Sequence, residues 1–319
     1  MGNITLAILG SIGYGNNLGK KGTSTDITLY NLKKDEDTVT LIEPTRYPER
    51  LAPLFYACAL ATKALVVVDE INAAFGEQLV MLQCSNIKGG YFVLRNYVPK
   101  EKIEPLIKGT SLENFEFIDD DPNQIREKLL FDAANQKMTD TKQVGSVPVD
   151  HAFNVKGVGV VVLGIVVNGL ISKHAVLNVL PSAKTAQIRS IQKHDDEFNI
   201  ASEGDRVGLA LKNVAVEDLD RGIVLTNDPQ IKTSNKLSSK TSLVKYWQIP
   251  LKQGMVMHIG HWTQFITAKV DEMVETDNPK HPSLILTLDK PLVYLPGDKA
   301  VLMYLEGVKL RVAGTIELQ

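Results

Sequence analysis

The sequence has few side chains of the kinds that form disulfides or metal sites, and it has no long hydrophobic run. Its two cysteines, Cys58 and Cys84, both lie in apolar stretches, which predicts buried thiols in a reducing compartment. The six histidines are scattered and give no metal-ligand spacing. No apolar stretch reaches the roughly 18 residues of a membrane span, and no basic segment precedes an apolar one at the N-terminus. We therefore predict a cytoplasmic protein with no metal site and no membrane partner.

Neither sign of charge is in excess. The chain carries 35 Lys and Arg against 37 Asp and Glu, a formal net charge of −2. This balance excludes a polycationic protein but allows a local basic face. At 319 residues and 44% hydrophobic content, the chain is long enough for two or three domains with separate cores.

The first 135 or so residues alternate β-rich runs with helix-compatible stretches. The predicted strands are Ile4–Leu9, Val39–Ile42, Ala64–Val68 and Tyr91–Leu94, and the predicted helices are 49–63, 77–87, 100–108 and 122–134. The strand runs are continuous and β-rich, which is typical of strands buried on both faces. This alternation predicts a Rossmann-like α/β domain with a parallel sheet covered by helices.

The pattern changes after Asn135. A polar segment at 135–146 is typical of a linker, and short alternating strands separated by Gly, Asn and Asp follow it. A second all-β stretch begins near Lys236. We predict three domains: an α/β domain at 1–143, a β-barrel at 144–230 and a second β-barrel at 231–319.

The segment GSIGYGNNLGKK at 10–21 directly follows the first predicted strand. Gly10 and Gly15 have the spacing of a phosphate-binding P-loop, but Asn16 and Asn17 stand where that loop has Lys and Ser or Thr. Taken alone, the segment is more typical of an ordinary strand-to-helix turn than of a phosphate-binding loop. The sequence pattern thus leaves open whether this loop ever bound phosphate.

Several segments of the middle region, in order, resemble the second domain of translational GTPases. They are 150–169, 188–194, 203–214 and 217–225, and they are most similar to the SelB branch, whose members are specialised relatives of elongation factor Tu. Residues 258–260 and 288–303 resemble the third domain of the same family. The resemblance implies a P-loop GTPase-type α/β domain followed by two β-barrels.

The same resemblance implies which positions correspond to the nucleotide site. The phosphate loop corresponds to Gly10, Gly15, Asn16 and Asn17, and the Mg²⁺-binding Thr of the first switch corresponds to Ser24. In the Asp-x-x-Gly segment, Glu43 stands at the Asp, Arg46 at the Gly and Tyr47 at the water-positioning His that follows. The base-reading positions are occupied by Arg95, Asn96 and Val98. Most of these positions lack the residue that the chemistry needs. Val98, for example, cannot accept the hydrogen bonds of a guanine.

These departures predict a pseudo-GTPase. Gly10 and Gly22 are only 12 positions apart, so the helix that should hold the phosphates is shortened or absent. We predict no catalytic residue, no GTP hydrolysis and no bound cofactor, although the family uses GTP and Mg²⁺. Two alternatives stay open: Ser24 and Glu43 could jointly hold Mg²⁺, or the chain could be a working GTPase that delivers a specialised tRNA.

The third domain opens with a run of lysines interleaved with Tyr246 and Trp247. The candidate RNA-binding residues are Lys232, Lys236, Lys240, Lys245, Lys252, His258 and His261. Such a run is as typical of a solvated face as of an RNA site, but the resemblance implies contact with tRNA. We predict tRNA or the ribosome as partner and no DNA. The alternative is a protein-interaction scaffold that docks to another translation factor.

Overall fold

The computed structural model of the chain describes residues 2–136, 143–274, 276–307 and 309–319. Most of the predicted linker at 135–146 lies outside these ranges. The chain divides into two compact units. One contains the N-terminal α/β domain together with Val244–Gln248 and Met303–Gly314, and the other contains the remaining parts of two β-barrels. The predicted fold, an α/β domain followed by two β-barrels, is confirmed.

The N-terminal domain is built on a seven-stranded sheet with the order β2-β3-β4-β1-β5-β6-β7. Its strands are β1 (Asn3–Leu9), β2 (Lys20–Ser24), β3 (Ile27–Lys34), β4 (Asp37–Pro44), β5 (Lys63–Val68), β6 (Gly90–Leu94) and β7 (Glu116–Ile118). Strands β4, β1, β5, β6 and β7 are parallel. The other two are antiparallel to their neighbours, so the sheet is mixed rather than parallel as predicted. Only two residues connect β3 to β4, and a connection that short can join only antiparallel strands.

Four α-helices occur in the described part of this domain, namely α1 (Leu51–Ala59), α2 (Ala73–Cys84), α3 (Lys100–Ile107) and α4 (Pro122–Asn135). Helix α2 begins four residues before its predicted start because the Asn72 side chain caps it, accepting a bond from the Phe75 amide at 2.9 Å. Helix α1 is shorter than predicted. By Thr62 the chain is already bonded to Thr5 on β1 and is entering β5.

The central strands are buried on both faces, as their continuous apolar runs predict. Helix α4 packs Ile125, Leu129 and Ala133 into one core cluster with Leu6 and Leu41 of the sheet. Ile4–Leu9 are all buried. This packing fixes the register of the strands and therefore the positions of the loops that leave their carboxyl ends.

The two β-barrels follow. The first consists of β8 (Gly145–Val155), β9 (Gly159–Ile165), β10 (Asn168–Ser172), β11 (Val176–Leu180), β12 (Lys184–Lys193), β13 (Asp196–Phe198), β14 (Ile200–Ser202), β15 (Arg206–Lys212) and β16 (Val224–Thr226). Strands β8, β16, β11, β12, β15 and β9 pair in a closed ring, because β9 also pairs with β8. The second is a closed barrel of β17 (Lys232–Leu243), β18 (Val256–His261), β19 (Gln264–Val274), β20 (Ser283–Tyr294), β21 (Lys299–Met303) and β22 (Val312–Glu317). Closure leaves neither ring with an open strand edge.

Among the described residues, no helix combines the length and the hydrophobicity that crossing a bilayer requires.

Candidate functional site

The carboxyl ends of four parallel strands meet at one edge of the N-terminal sheet. The loops that leave β1, β4, β5 and β6 begin at Gly10, Thr45, Asp69 and Arg95. Ligands of open α/β sheets bind at this edge. The structure thus brings together the predicted phosphate-loop, Asp-x-x-Gly and base-reading segments.

The loop after β1 is a tight turn. Gly10 has φ +96°, and a Cβ on it would collide with the carbonyl oxygen of Val67, so only glycine fits. Between β1 and β2 the described chain forms a four-residue 3-10 helix, Tyr14–Asn17, and no α-helix. This helix begins after Gly13, which has φ 85°. The loop therefore has no long helix N-terminus with which to hold an anion.

A carboxylate of the protein itself fills the amide cradle that this loop forms. Glu43 lies near the end of β4 and is only 2% exposed. Its Oε1 accepts a hydrogen bond from the Gly13 amide, and its Oε2 accepts one from the Gly15 amide at 3.1 Å. Backbone amides that converge in this way favour a negative charge. Glu43, which the resemblance predicts at the Asp position of the Asp-x-x-Gly segment, supplies that charge.

Tyr30 closes the cradle from β3. Its ring packs so closely on Gly15 that no Cβ would fit there. Burial, followed by the charge of Glu43 and a hydrogen bond to it, raises the pKa of Tyr30 to about 12. The phenol therefore stays protonated at neutral pH and remains a donor beside the carboxylate.

On the base-reading side, Arg95 is paired within the protein. Its guanidinium lies 3.3 Å from Asp69 and 3.2 Å from Asp120, and it donates to the Ser11 hydroxyl at 3.3 Å. Asp120 also accepts a 2.6 Å bond from the hydroxyl of Tyr14. This network ties the loop after β1 to the loops after β5, β6 and β7.

The neighbouring base-reading positions are also engaged in local structure. The Asn96 amide donates to the Asp69 carbonyl at 3.2 Å, and the half-buried Val98 donates its backbone N–H to Arg95 at 3.0 Å. In the phosphate loop, Asn16 and Asn17 are exposed, and the Asn16 side chain bonds back to the Gly13 carbonyl at 2.9 Å.

The two switch-like segments contain the other predicted positions. Ser24 is exposed on β2 and shares a 2.8 Å hydrogen bond with Thr28, which pairs in register with Glu43. Arg46 is exposed, whereas Tyr47 is buried and donates its hydroxyl to the Ala74 carbonyl at 2.7 Å. Tyr47 is therefore held as part of the domain's packing rather than presented to a water molecule.

A cavity of about 440 Å³ lies at this edge, on the side of α2. Glu43, Asp69 and Glu70 contribute to its wall, and none of the described residues in that wall is a lysine or arginine. A nucleoside triphosphate carries several negative charges, which these carboxylates would repel. In the described ranges, no three His, Cys, Asp or Glu side chains form a metal-binding group. The charge of the residues in this wall therefore does not fit a bound triphosphate.

Glu70, Asn72 and Gln78 also line this cavity, although none of them is among the site residues predicted from the sequence. Glu70 could have been found from the sequence, because Asp69 and Glu70 are acidic residues that directly follow a buried strand. Gln78 lies inside α2, where the sequence gives no indication that one side chain faces a cavity.

The lysines of the third domain are exposed. Lys232, Lys236 and Lys240 lie on β17, where Leu237, Ser239 and Thr241 alternate with them and are buried. Lys236 and Lys240 therefore project outward from the second barrel. Lys245 and Lys252 are exposed too, and the Lys245 ammonium lies 5.7 Å from the centre of the Tyr246 ring.

The two histidines near these lysines differ from each other. His258 is half-buried beside Phe265, with ring centres 5.1 Å apart, and burial lowers its pKa, which favours the neutral ring. His261 is buried, with Nδ1 3.2 Å from the Val293 carbonyl and Nε2 3.0 Å from the Asp298 carboxylate. His261 thus stabilises the barrel interior and does not belong to the exposed surface.

Comparisons with known proteins agree with this architecture. Residues 159–226 match the model of elongation factor Tu domain 2. The chain is 37% identical over its whole length to the uncharacterized protein MJ0325 of Methanocaldococcus jannaschii, of which it also covers 100%. It is 26% identical to the selenocysteine-specific elongation factor of the same organism, over 92% of this chain and 71% of that protein.

Among solved structures, elongation factor SelB of Methanococcus maripaludis in complex with the GTP analogue GPPNHP shares the fold. The two superpose with a TM-score of 0.84 at 22% identity, over 100% of this chain and 79% of that one. The apo form of the same factor gives a TM-score of 0.80.

Proposed function

Because the chain belongs to the SelB-like family of translational GTPases, we propose that it is a translation factor that binds tRNA without using a bound nucleotide. Its partner in this proposal is an aminoacyl-tRNA, alone or on the ribosome. The α/β domain acts as a scaffold and no longer as a switch.

The position of Glu43 supports the proposal that the protein works without a bound nucleotide. A phosphate bound at the loop after β1 would have to displace a buried carboxylate from the Gly13 and Gly15 amides. It would also have to approach the acidic wall formed by Asp69 and Glu70. Both steps oppose binding of an anion, because like charges repel most strongly where water is excluded.

The exposed lysines on β17 support the RNA-binding part. Lys232, Lys236 and Lys240 recur every four residues along a single strand. Such a row can follow a phosphate backbone, and binding of this kind depends on charge and shape more than on base sequence. The chain as a whole is nearly neutral, so any attraction for RNA must come from a local surface of this type.

Binding of the intact protein to a bulk tRNA preparation tests the proposal. Replacing Lys232, Lys236 and Lys240 with Glu is expected to weaken binding at least 100-fold. The slope of log K against log salt concentration is also expected to fall by about 2, because each phosphate contact that is lost removes about 0.7 to 0.9 from that slope. A matched variant that replaces the exposed Lys102 and Lys108 with Glu should keep the affinity of the unchanged protein.

The same titration, repeated with GTP and Mg²⁺, separates the proposal from its alternatives. The expected affinity is the same with and without nucleotide. An affinity that changes with GTP would instead indicate a working switch protein that delivers a tRNA. Salt-independent binding, or no binding, would contradict the RNA-binding proposal and favour a scaffold that docks to another protein.

A further inference from the structure

We infer that the cavity at the carboxyl edge of the N-terminal sheet binds an organic cation that carries N–H donors on an alkyl chain, such as an alkylammonium or alkylguanidinium. Four features of the cavity wall support this inference: its charge, an unpaired buried acceptor, its aromatic side chains and its size.

The charge of the wall selects a cation. Glu43, Asp69 and Glu70 all contribute to it, and its described residues include no basic side chain. Glu43 is bonded to backbone amides and Asp69 is shared with Arg95. Glu70 is exposed, and within the described ranges it accepts a hydrogen bond only from the neutral Asn72 side-chain amide, at 2.6 Å. It is therefore the carboxylate best placed to pair with a ligand charge.

Gln78 gives an independent indication of a donor group. It belongs to α2, is 5% exposed and lies in the cavity wall. Within the described part of the chain, its Oε1 is buried and has no hydrogen-bond partner. A buried acceptor left unpaired is destabilising, and a hydrogen bond from a ligand N–H group would satisfy it.

Glu77, the residue next to Gln78 on α2, does not need a hydrogen bond from a ligand. Glu77 is buried and accepts hydrogen bonds from Arg311 at both carboxylate oxygens. The Arg311 backbone amide donates to Oε1 at 2.7 Å, and its guanidinium donates to Oε2 at 2.5 Å. Arg311 thus already satisfies Glu77. Gln78, by contrast, lines the cavity and has no partner for its Oε1 among the described residues.

Aromatic and aliphatic side chains complete the wall. Tyr47 and Phe75 present rings, and the hydrogen bond from Tyr47 to the Ala74 carbonyl fixes the first of them. Ile8 and Pro44 add apolar surface. Aromatic faces attract cations and apolar surface covers an alkyl stem. A volume of about 440 Å³ is within the range of small-molecule sites.

Calorimetric titration of the full chain with agmatine and with spermidine tests the inference. Both are expected to bind, whereas tetramethylammonium, which has the charge but no N–H donor, is expected to bind at least tenfold more weakly. Gln78→Leu should weaken agmatine binding about tenfold, because a hydrogen bond to a charged donor is lost. Glu70→Gln should weaken it severalfold, with a loss that shrinks as salt is added.

Gln83→Leu, on the same helix but outside the cavity wall, is the matched control and should bind agmatine normally. Circular dichroism of each variant checks that it is folded. The inference is overturned if neither amine binds at millimolar concentration, if tetramethylammonium binds as tightly as agmatine, or if a folded Gln78→Leu protein keeps full affinity. It is also overturned if Mg²⁺ displaces agmatine, because a metal site would then explain the carboxylates.

Discussion

Replacement of Glu43 with alanine is expected to lower the free energy of unfolding of the N-terminal domain by about 3 kcal/mol. The Glu43 carboxylate accepts hydrogen bonds from the Gly13 and Gly15 amides, and Gly15 is buried. Without it, two donors lose their partner in a site with little access to water. Urea denaturation followed by circular dichroism measures the change.

Two further measurements make this prediction specific to the amide cradle. Glu36→Ala, which removes an exposed acid in the turn between β3 and β4, should change stability by less than about 0.5 kcal/mol. Inorganic phosphate should raise the melting temperature of Glu43→Ala more than that of the unchanged protein, because the freed amides can then bind an anion. An equal response of both proteins to phosphate would contradict the view that Glu43 occupies a phosphate-binding cradle.

Replacement of Arg206 with alanine is expected to destabilise the first β-barrel by about 3 to 5 kcal/mol, because it leaves a buried carboxylate unpaired. Asp150 on β8 is 3% exposed and accepts both arms of the Arg206 guanidinium, one of them at 3.1 Å. His151 bonds the same carboxylate at 2.7 Å. Arg189→Ala is the control, because Arg189 is exposed and donates to a backbone carbonyl at the surface. It should cost less than about 1 kcal/mol.

The cost of removing Arg206 should depend on pH. Burial by itself raises the pKa of Asp150, but the charge of Arg206 and the bonds from His151 and Arg206 outweigh it and hold the pKa below its usual value. A lowered pKa stabilises the fold above the unfolded value of about 3.9, and this contribution is lost as the pH falls through the folded value. In Arg206→Ala only burial and His151 remain, so the pKa rises.

The difference in stability between the two proteins should therefore be largest near neutral pH and should shrink as the pH falls toward about 4. Urea denaturation at several pH values checks this. A difference that stays constant between about pH 7 and about pH 4 would show that Arg206 acts through packing alone.

The sequence predicts the fold well where apolar periodicity is strong. Ile4–Leu9, in which Thr5 is the only polar residue, and the apolar run at 64–68 both form buried strands of the sheet. Strand β2, with the sequence KKGTS, is mostly exposed and carries no such periodicity. Its pairing with β3 depends on contacts that no local pattern encodes, so the mixed character of the sheet could not be predicted from composition.

The candidate site could be predicted in position but not in its contacts. The resemblance predicts that Glu43 and Arg95 belong to one site, and in the structure both lie at the carboxyl edge of the sheet. That the Glu43 carboxylate bonds to the amides of its own loop depends on how β4 lies beside β1. The pairing of Arg95 with Asp120 joins residues 25 positions apart in sequence through the fold of the sheet. A single sequence does not specify such long-range pairs.

Calorimetric titration of the purified protein with GTP and with GDP in the presence of Mg²⁺ tests the central claim most directly. A translational GTPase known to bind both nucleotides serves as the positive control. With Glu43 in the amide cradle and no basic residue described in the cavity wall, we expect no binding heat up to millimolar nucleotide. Micromolar or tighter binding would contradict the account, because Glu43 and Arg95 would then have to move aside and the domain would be a nucleotide switch.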